Sequence, residues 1–137
     1  MMRRGFTLVE LLVCVVIAGL LATIALPSWR GLVMRTYRSD AAAALYALAA
    51  AQERYRLVHG RYAGLASPAP PVGLGLARSE RGWYELQIER ADESGFLATA
   101  RPAPGSPQAA DAACWLFTID ETGRRGALPG GPEQCWR

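Results

Sequence analysis

The chain opens on an almost unbroken apolar run. In residues 6–26 only Thr7, Glu10 and Thr23 are polar. Coiled as a helix, that run is about 31 Å long, enough to cross the hydrocarbon core of a bilayer. Pro27 follows it directly. Beyond Pro27 the pattern changes to a stripe. Tyr37, Ala41, Leu45, Leu48, Gln52, Tyr55 and Val58 recur at spacings of three or four, and Gln52 alone interrupts their apolar character. Arg38, Arg54 and Arg56 fall off this stripe, and Asp40 suits a helix start if a kink precedes it. Eight alanines between positions 41 and 51 raise helix propensity and permit close packing. Gly60, directly after His59, is a stop signal. The pattern predicts one helix over residues 6–59, about 80 Å long and bent at Pro27 or Gly31. Its first half is apolar all round and its second half amphipathic.

The rest of the chain reads as a small sheet. Residues 63–82 hold Pro68, Pro70 and Pro71 among several glycines and form a loop. In residues 83–89, Tyr84, Leu86 and Ile88 alternate with Glu85, Gln87 and Glu89, a strand with one face buried. A turn over residues 91–95 leads to a second strand, 96–101, which Pro102, Pro104 and Pro107 end. Residues 114–119 make a third strand, turned back at Glu121-Thr122-Gly123. No fourth strand is clear in residues 124–137. So small a sheet has a weak core of its own and needs the helix stripe to pack on. The predicted class is α+β: a long N-terminal helix packed on a small antiparallel sheet.

Composition narrows the function. The chain has 137 residues, a one-domain length. With 51% hydrophobic and 20% charged residues it is not a disordered chain. The net charge of +3 is uneven, with six arginines against two acids in residues 27–62 and seven against nine in residues 63–137. No long basic tract exists, so bulk nucleic-acid binding is not the first reading. Arg124, Arg125 and Arg137 keep a DNA-binding role open, although arginines near a C-terminus are more often a solvated surface. HExxH, CxxC, GxSxG, the P-loop and GxGxxG are all missing. No nucleophile–base pair is visible, so the expectation is a protein without catalysis, cofactor or metal. The one histidine, His59, suits the dipole of a helix end. Asp111, Asp120 and Glu121 lack the regular spacing of calcium ligands.

Glu10 is the anomaly. A carboxylate in a spanning helix costs roughly 2–3 kcal/mol near the centre and less near an end. A secretory signal peptide would place Glu10 in the apolar region and lacks an A-x-A site. A lipoprotein signal would need a small residue where Val13 precedes Cys14. A plain single-span anchor leaves Glu10 unexplained. If the chain is cut between Gly5 and Phe6, the new amine lies at i relative to Glu10 at i+4, on one helix face. Amine and carboxylate can then neutralise each other within a chain, or between neighbouring chains.

The run Arg3-Arg4-Gly5-Phe6-Thr7-Leu8-Val9-Glu10 resembles the class III leader of type IV pilins. The resemblance implies that a prepilin peptidase cuts between Gly5 and Phe6 and methylates the Phe6 amine. It also implies that Glu10 takes part in subunit assembly, and an apolar helix that reaches a proline, here Pro27, as its kink. The expected organisation is a leader (1–5), a transmembrane and filament-core helix (6–27) and a globular periplasmic or extracellular domain (28–137). Two arginines before the span against three soon after it do not by themselves orient the helix. The resemblance puts the C-terminal part outside. In that oxidising context Cys114 and Cys135, with 20 residues between them, are expected to form a disulfide worth about 3 kcal/mol. The alternative is two free buried thiols. Cys14 is a small apolar residue of the anchor.

Later motifs extend the resemblance. Gln52-Glu53-Arg54-Tyr55 ahead of Gly60-Arg61-Tyr62, a cysteine ahead of Leu116-Phe117-Thr118-Ile119-Asp120, and a final Cys135-Trp136-Arg137 resemble the PilE-type minor pilins. Trp115 departs from that branch, which often has glycine after the cysteine. The resemblance implies a minor pilin of a type IV pilus, held in the bacterial inner membrane and then polymerised into a surface filament for twitching motility, adhesion or DNA uptake. Its implied partners are other pilin subunits, prepilin peptidase and the inner-membrane assembly machinery. A type II secretion pseudopilin shares the leader and the helix and is the nearest alternative.

Overall fold

The structure is a computed structural model. It describes residues 6–137, apart from the side chains of Pro27 and Ser28. The leader, with the Gly5 expected at the cleavage point, lies outside the described residues.

Helix α1 spans Leu8–His59. Thr7 starts it: its hydroxyl accepts the Glu10 N–H at 3.3 Å and its carbonyl accepts the Leu11 N–H at 3.1 Å. A threonine there satisfies donors that the first turn leaves open. The helix serves two compact units, residues Met1–Val33 and Met34–Arg137. In the first unit every apolar side chain described between Phe6 and Leu26 is exposed. Its one hydroxyl deep in the run, on Thr23, donates back to the Leu20 carbonyl at 2.7 Å. That bond leaves no free donor on an apolar surface.

In the second unit, α1 lies on a four-stranded antiparallel sheet in the order β1-β2-β3-β4. The strands are β1 (Tyr84–Ala91), β2 (Phe96–Pro102), β3 (Cys114–Asp120) and β4 (Arg125–Pro129). Ala41, Leu45 and Leu48 meet Tyr84, Phe96, Ala98, Ala100, Phe117 and Ile119 in one buried cluster. Alternate residues of β2 and β3 point inward, as the period of two requires. Alanines at 98 and 100 leave room for the helix to come close. The Cys114–Cys135 disulfide is present and ties β3 to a short C-terminal helix, α2 (Pro132–Cys135).

Several expectations are corrected. A fourth strand exists, β4, paired with β3 from Leu116↔Leu128 to Ile119↔Arg125. Its sequence, Arg-Gly-Ala-Leu-Pro, buries only Ala127, so it carries no alternation to read. Gly126 faces the Thr118 side chain, where a Cβ would clash. Arg38 does not face away from the core: it is buried and paired. Asp40 is not at a helix start but within α1, and only 8% exposed. Val58 is 78% exposed, beside exposed Leu57, because it lies past the last turn that the core covers. Gln52, in contrast, belongs to the stripe. It is completely buried, and its amide exchanges two 2.8 Å hydrogen bonds with the backbone of Ala63. A buried amide with both ends paired costs little and anchors the loop that follows.

That loop, residues 63–82, is held by its own backbone. Leu74 N–H donates to Leu65 O at 3.1 Å and Gly75 N–H to Pro68 O at 2.7 Å. Gly73 passes so close to the Pro68 and Leu65 carbonyls that an added Cβ would meet them at 2.5 and 2.6 Å.

Candidate assembly surfaces and the clamp that shapes them

The residues singled out from the sequence fall into three places. The first is the start of α1. Phe6 precedes the first helical residue and is exposed, and Glu10 is in the first turn. The partial positive charge of a helix N-terminus favours a carboxylate there. The surrounding Leu8, Val9, Leu11 and Leu12 are all exposed. This unit therefore offers a long apolar surface with a single acid at its beginning, which suits lipid or other helices of the same kind.

The second place is the C-terminal edge of the sheet. Cys114 and Cys135 close it, and a side chain that sequence reasoning placed elsewhere fastens it to α1. Arg38 donates through Nε to Asp111 Oδ2 at 2.7 Å and through Nη2 to Oδ1 at 2.9 Å. Its Nη1 reaches the Gln134 carbonyl at 3.4 Å. Asp111 lies three residues before one cysteine and Gln134 directly before the other. One guanidinium thus holds both ends of the disulfide-closed segment. The hydrogen bond to Asp111 raises the Arg38 pKa, burial opposes it, and the Asp111 charge adds to the rise. Gln108, on the 3-10 turn Pro107–Ala110, extends the network: its Nε2 donates to the Tyr84 hydroxyl at 2.7 Å. No periodicity marked Arg38 or Gln108. The one available signal was an arginine next to the buried face of the helix.

The other acids weighed as calcium ligands also have partners inside the chain. Asp120 Oδ1 accepts the Thr122 hydroxyl at 2.6 Å and the Thr122 and Arg124 N–H groups at 3.0 and 2.9 Å, which shapes the β3–β4 turn. Burial pushes the Asp120 pKa up, but these bonds outweigh it and the net shift is downward. Glu121 accepts the Phe96 N–H at 3.1 Å. His59 has its ring stacked on Tyr55 at 4.0 Å, with Nδ1 3.0 Å from the Tyr55 carbonyl, a helix-end role.

The third place is basic. Arg125 opens β4 and Arg124 directly precedes it, and both are exposed. Arg125 lies over the Trp136 ring at 5.8 Å and its Nη1 is 3.4 Å from the Tyr46 hydroxyl. Arg137 instead pairs with Glu133 at 3.5 Å, on the surface. Trp115 is half-exposed, with the Arg101 guanidinium 6.0 Å from its ring centre, so its bulk points outward and does not crowd the disulfide.

Residues 27–118 match the sequence family described as "Type IV minor pilin ComP, DNA uptake sequence receptor", and residues 1–26 match the "Prokaryotic N-terminal methylation motif". The type IV major pilin protein PilA of Myxococcus xanthus is 33% identical over 104 residues, covering 76% of this chain and 46% of that protein. The type II secretion system core protein G of Klebsiella pneumoniae is 38% identical over 60 residues, covering 44% of this chain and 43% of that protein. The chain thus spans about half the length of these curated relatives. Among solved structures, the non-core minor pilin PilV of Neisseria meningitidis superposes with a TM-score of 0.56 at 18% identity, covering 75% of this chain and 93% of that one. That last likeness is one of fold.

Proposed function

The chain belongs to the type IV pilin family, and from that premise we propose that it is a minor pilin subunit, cut between Gly5 and Phe6 and assembled into a filament. The observation that carries this reading is the uncovered apolar surface of residues 6–26 with one acid, Glu10, in its first turn. A bilayer covers such a surface before assembly, and the helices of other subunits cover it afterwards. In this reading prepilin peptidase methylates the Phe6 amine, and Glu10 pairs with the Phe6 amine of a neighbouring subunit. Pro27 supplies a kink between the anchor and the rest of α1. The C-terminal domain faces the periplasm and then the cell exterior, where the disulfide is stable. The protein acts by assembly, with no reaction of its own. Intact-mass measurement of the protein from sheared filaments tests this. A mature chain that begins at methylated Phe6 is the expected result. A chain that keeps residues 1–5, or one cut near Pro27, overturns it.

A second reading has its own support. The matching family is described by DNA uptake, and Arg124 and Arg125 stand exposed, with Arg125 over the Trp136 ring. Guanidinium groups beside an aromatic ring suit phosphates and bases. A salt-dependent mobility shift of DNA that weakens in Arg124→Glu supports it. The pseudopilin alternative rests on the secretion-system relative. It predicts a secretion defect without a pilus defect in a deletion strain.

A further inference from the structure

The helix and the loop before β1 enclose a groove of about 230 Å³ on the β1 side of the domain. Asp40 of α1 lines it and is its unusual member. It is 8% exposed, and its Oδ2 is buried with no hydrogen-bond partner among the described residues. A carboxylate so far removed from water is costly unless a cation compensates it. Two arginines close to it along the chain or on the groove wall are paired already. Arg38 holds Asp111 at 2.7 Å, and Arg78 holds Glu85 at 3.0 Å. Glu80, exposed on the loop, is a second acid in the groove and has no ion pair among the described residues.

The rest of the lining is apolar. Ala43, Ala44 and Ala47 form a floor along α1, and Leu76 and Leu86 make the walls. These features select a ligand. One buried acid and one exposed acid in the same groove call for positive charge at two points. The alanine and leucine lining calls for an aliphatic stem. A metal ion asks for several protein donors. Among the described residues no three His, Cys, Asp or Glu side chains are grouped to supply them. The volume is below the roughly 300–1,000 Å³ typical of drug-sized ligands, so the ligand is small.

We propose that this groove is a binding site for a short aliphatic diamine, with one ammonium on Asp40 and the other at Glu80. An ammonium brings both the missing charge and three hydrogen-bond donors, on a stem that the alanine floor covers. The site goes beyond the filament-subunit reading and does not depend on it, since every residue in it belongs to the second compact unit.

The test uses the full chain in a non-ionic detergent, with alanine and leucine methyl groups isotope-labelled for NMR. Diaminobutane at neutral pH should shift the Ala43, Ala47 and Leu86 methyl signals along a saturable curve. Butylammonium, with one charge, should bind more weakly. Butanol, and sodium chloride at matched ionic strength, should give no saturable shift. Asp40→Asn, which keeps the shape, should weaken diamine binding about tenfold or more. Glu80→Gln should bring the diamine close to the affinity of butylammonium. Ala47→Leu, at an exposed helix position, should fill the groove and abolish binding with the fold intact. Arg78→Gln should leave the diamine bound at least as tightly. A lack of saturable shift, a response that sodium chloride reproduces, or affinity unchanged in Asp40→Asn or Ala47→Leu overturns the site. Equal affinities for the diamine and butylammonium overturn the diamine assignment. So does tighter binding of a lysine blocked as its N-acetyl methylamide, which would make the groove a seat for the lysine of a protein.

Discussion

Arg38 and Asp111 stand 73 residues apart in sequence and meet in a buried two-pronged ion pair, Nε to Oδ2 at 2.7 Å and Nη2 to Oδ1 at 2.9 Å. Both oxygens of the carboxylate are used, and the guanidinium also reaches the Gln134 carbonyl. The pair joins α1 to both ends of the disulfide-closed segment. Breaking a buried pair leaves an uncompensated charge, at a cost of about 3–5 kcal/mol. Asp111→Ala should therefore lower the urea midpoint of the detergent-solubilised full chain sharply. Arg38→Met strands the buried Asp111 carboxylate in the same way and should cost a comparable amount, whereas replacing both partners, Arg38→Met with Asp111→Leu, should cost clearly less than either single change. A double variant that loses as much as the two single changes added together would contradict this account.

The disulfide makes a separate contribution. Closing the Cys114–Cys135 segment restricts the unfolded chain and is worth about 3 kcal/mol in the chain-entropy picture. Cys114→Ser should melt several degrees lower than the parent. Non-reducing peptide mapping should find the Cys114–Cys135 link and a free Cys14. Identical melting of the reduced and oxidised protein would count against it.

Alkaline pH should loosen the core through Tyr84. Burial pushes its hydroxyl up to about 12; the Gln108 hydrogen bond opposes this, the Asp111 charge raises it, Arg38 lowers it and Asp40 raises it. In the unfolded chain a tyrosine titrates near 10. The folded value is the higher one, so this stabilisation is complete below pH 10. It is lost as pH climbs from 10 through 12, by about 2 kcal/mol. Thermal melts across that range should show the decline, and Tyr84→Phe should flatten it. A Tyr84→Phe variant with the same alkaline slope would place the effect on another group.

Glu10 separates anchoring from assembly. Glu10→Leu removes a carboxylate from an apolar helix, so membrane insertion should be at least as good. Processing should survive, because the change leaves Gly5 and the leader intact. If Glu10 pairs with a neighbour's Phe6 amine, the variant strands that amine in the filament core, at a cost of several kcal/mol. The ratio of processed protein in sheared pili to that in membranes should fall. A ratio equal to the parent's would leave Glu10 without a role in register.

Elements defined by local periodicity were legible in the sequence. The three- and four-residue spacing from Ala41 to Tyr55 is the face that packs on the sheet, and the alternation at Tyr84, Leu86 and Ile88 is β1. The leader motif and the apolar run needed no tertiary information either, because both are contiguous. What the sequence could not decide depends on partners distant along the chain. β4 forms because β3 offers an open edge, while its own five residues bury only Ala127. Arg38 looked like a solvated arginine until Asp111 came to meet it from across the domain. Gln52 looked like a break in the stripe until the Ala63 backbone turned back to pair with it. Asp40 looked like a helix start and is instead buried in the middle of α1. In each case the side chain's own type favours water, and only the packed chain decides whether a partner takes water's place. Apolar pattern is set by each residue's own transfer energy, so it can be read along the chain. The placement of a buried polar group is set by a pairing, and pairings are made by the fold.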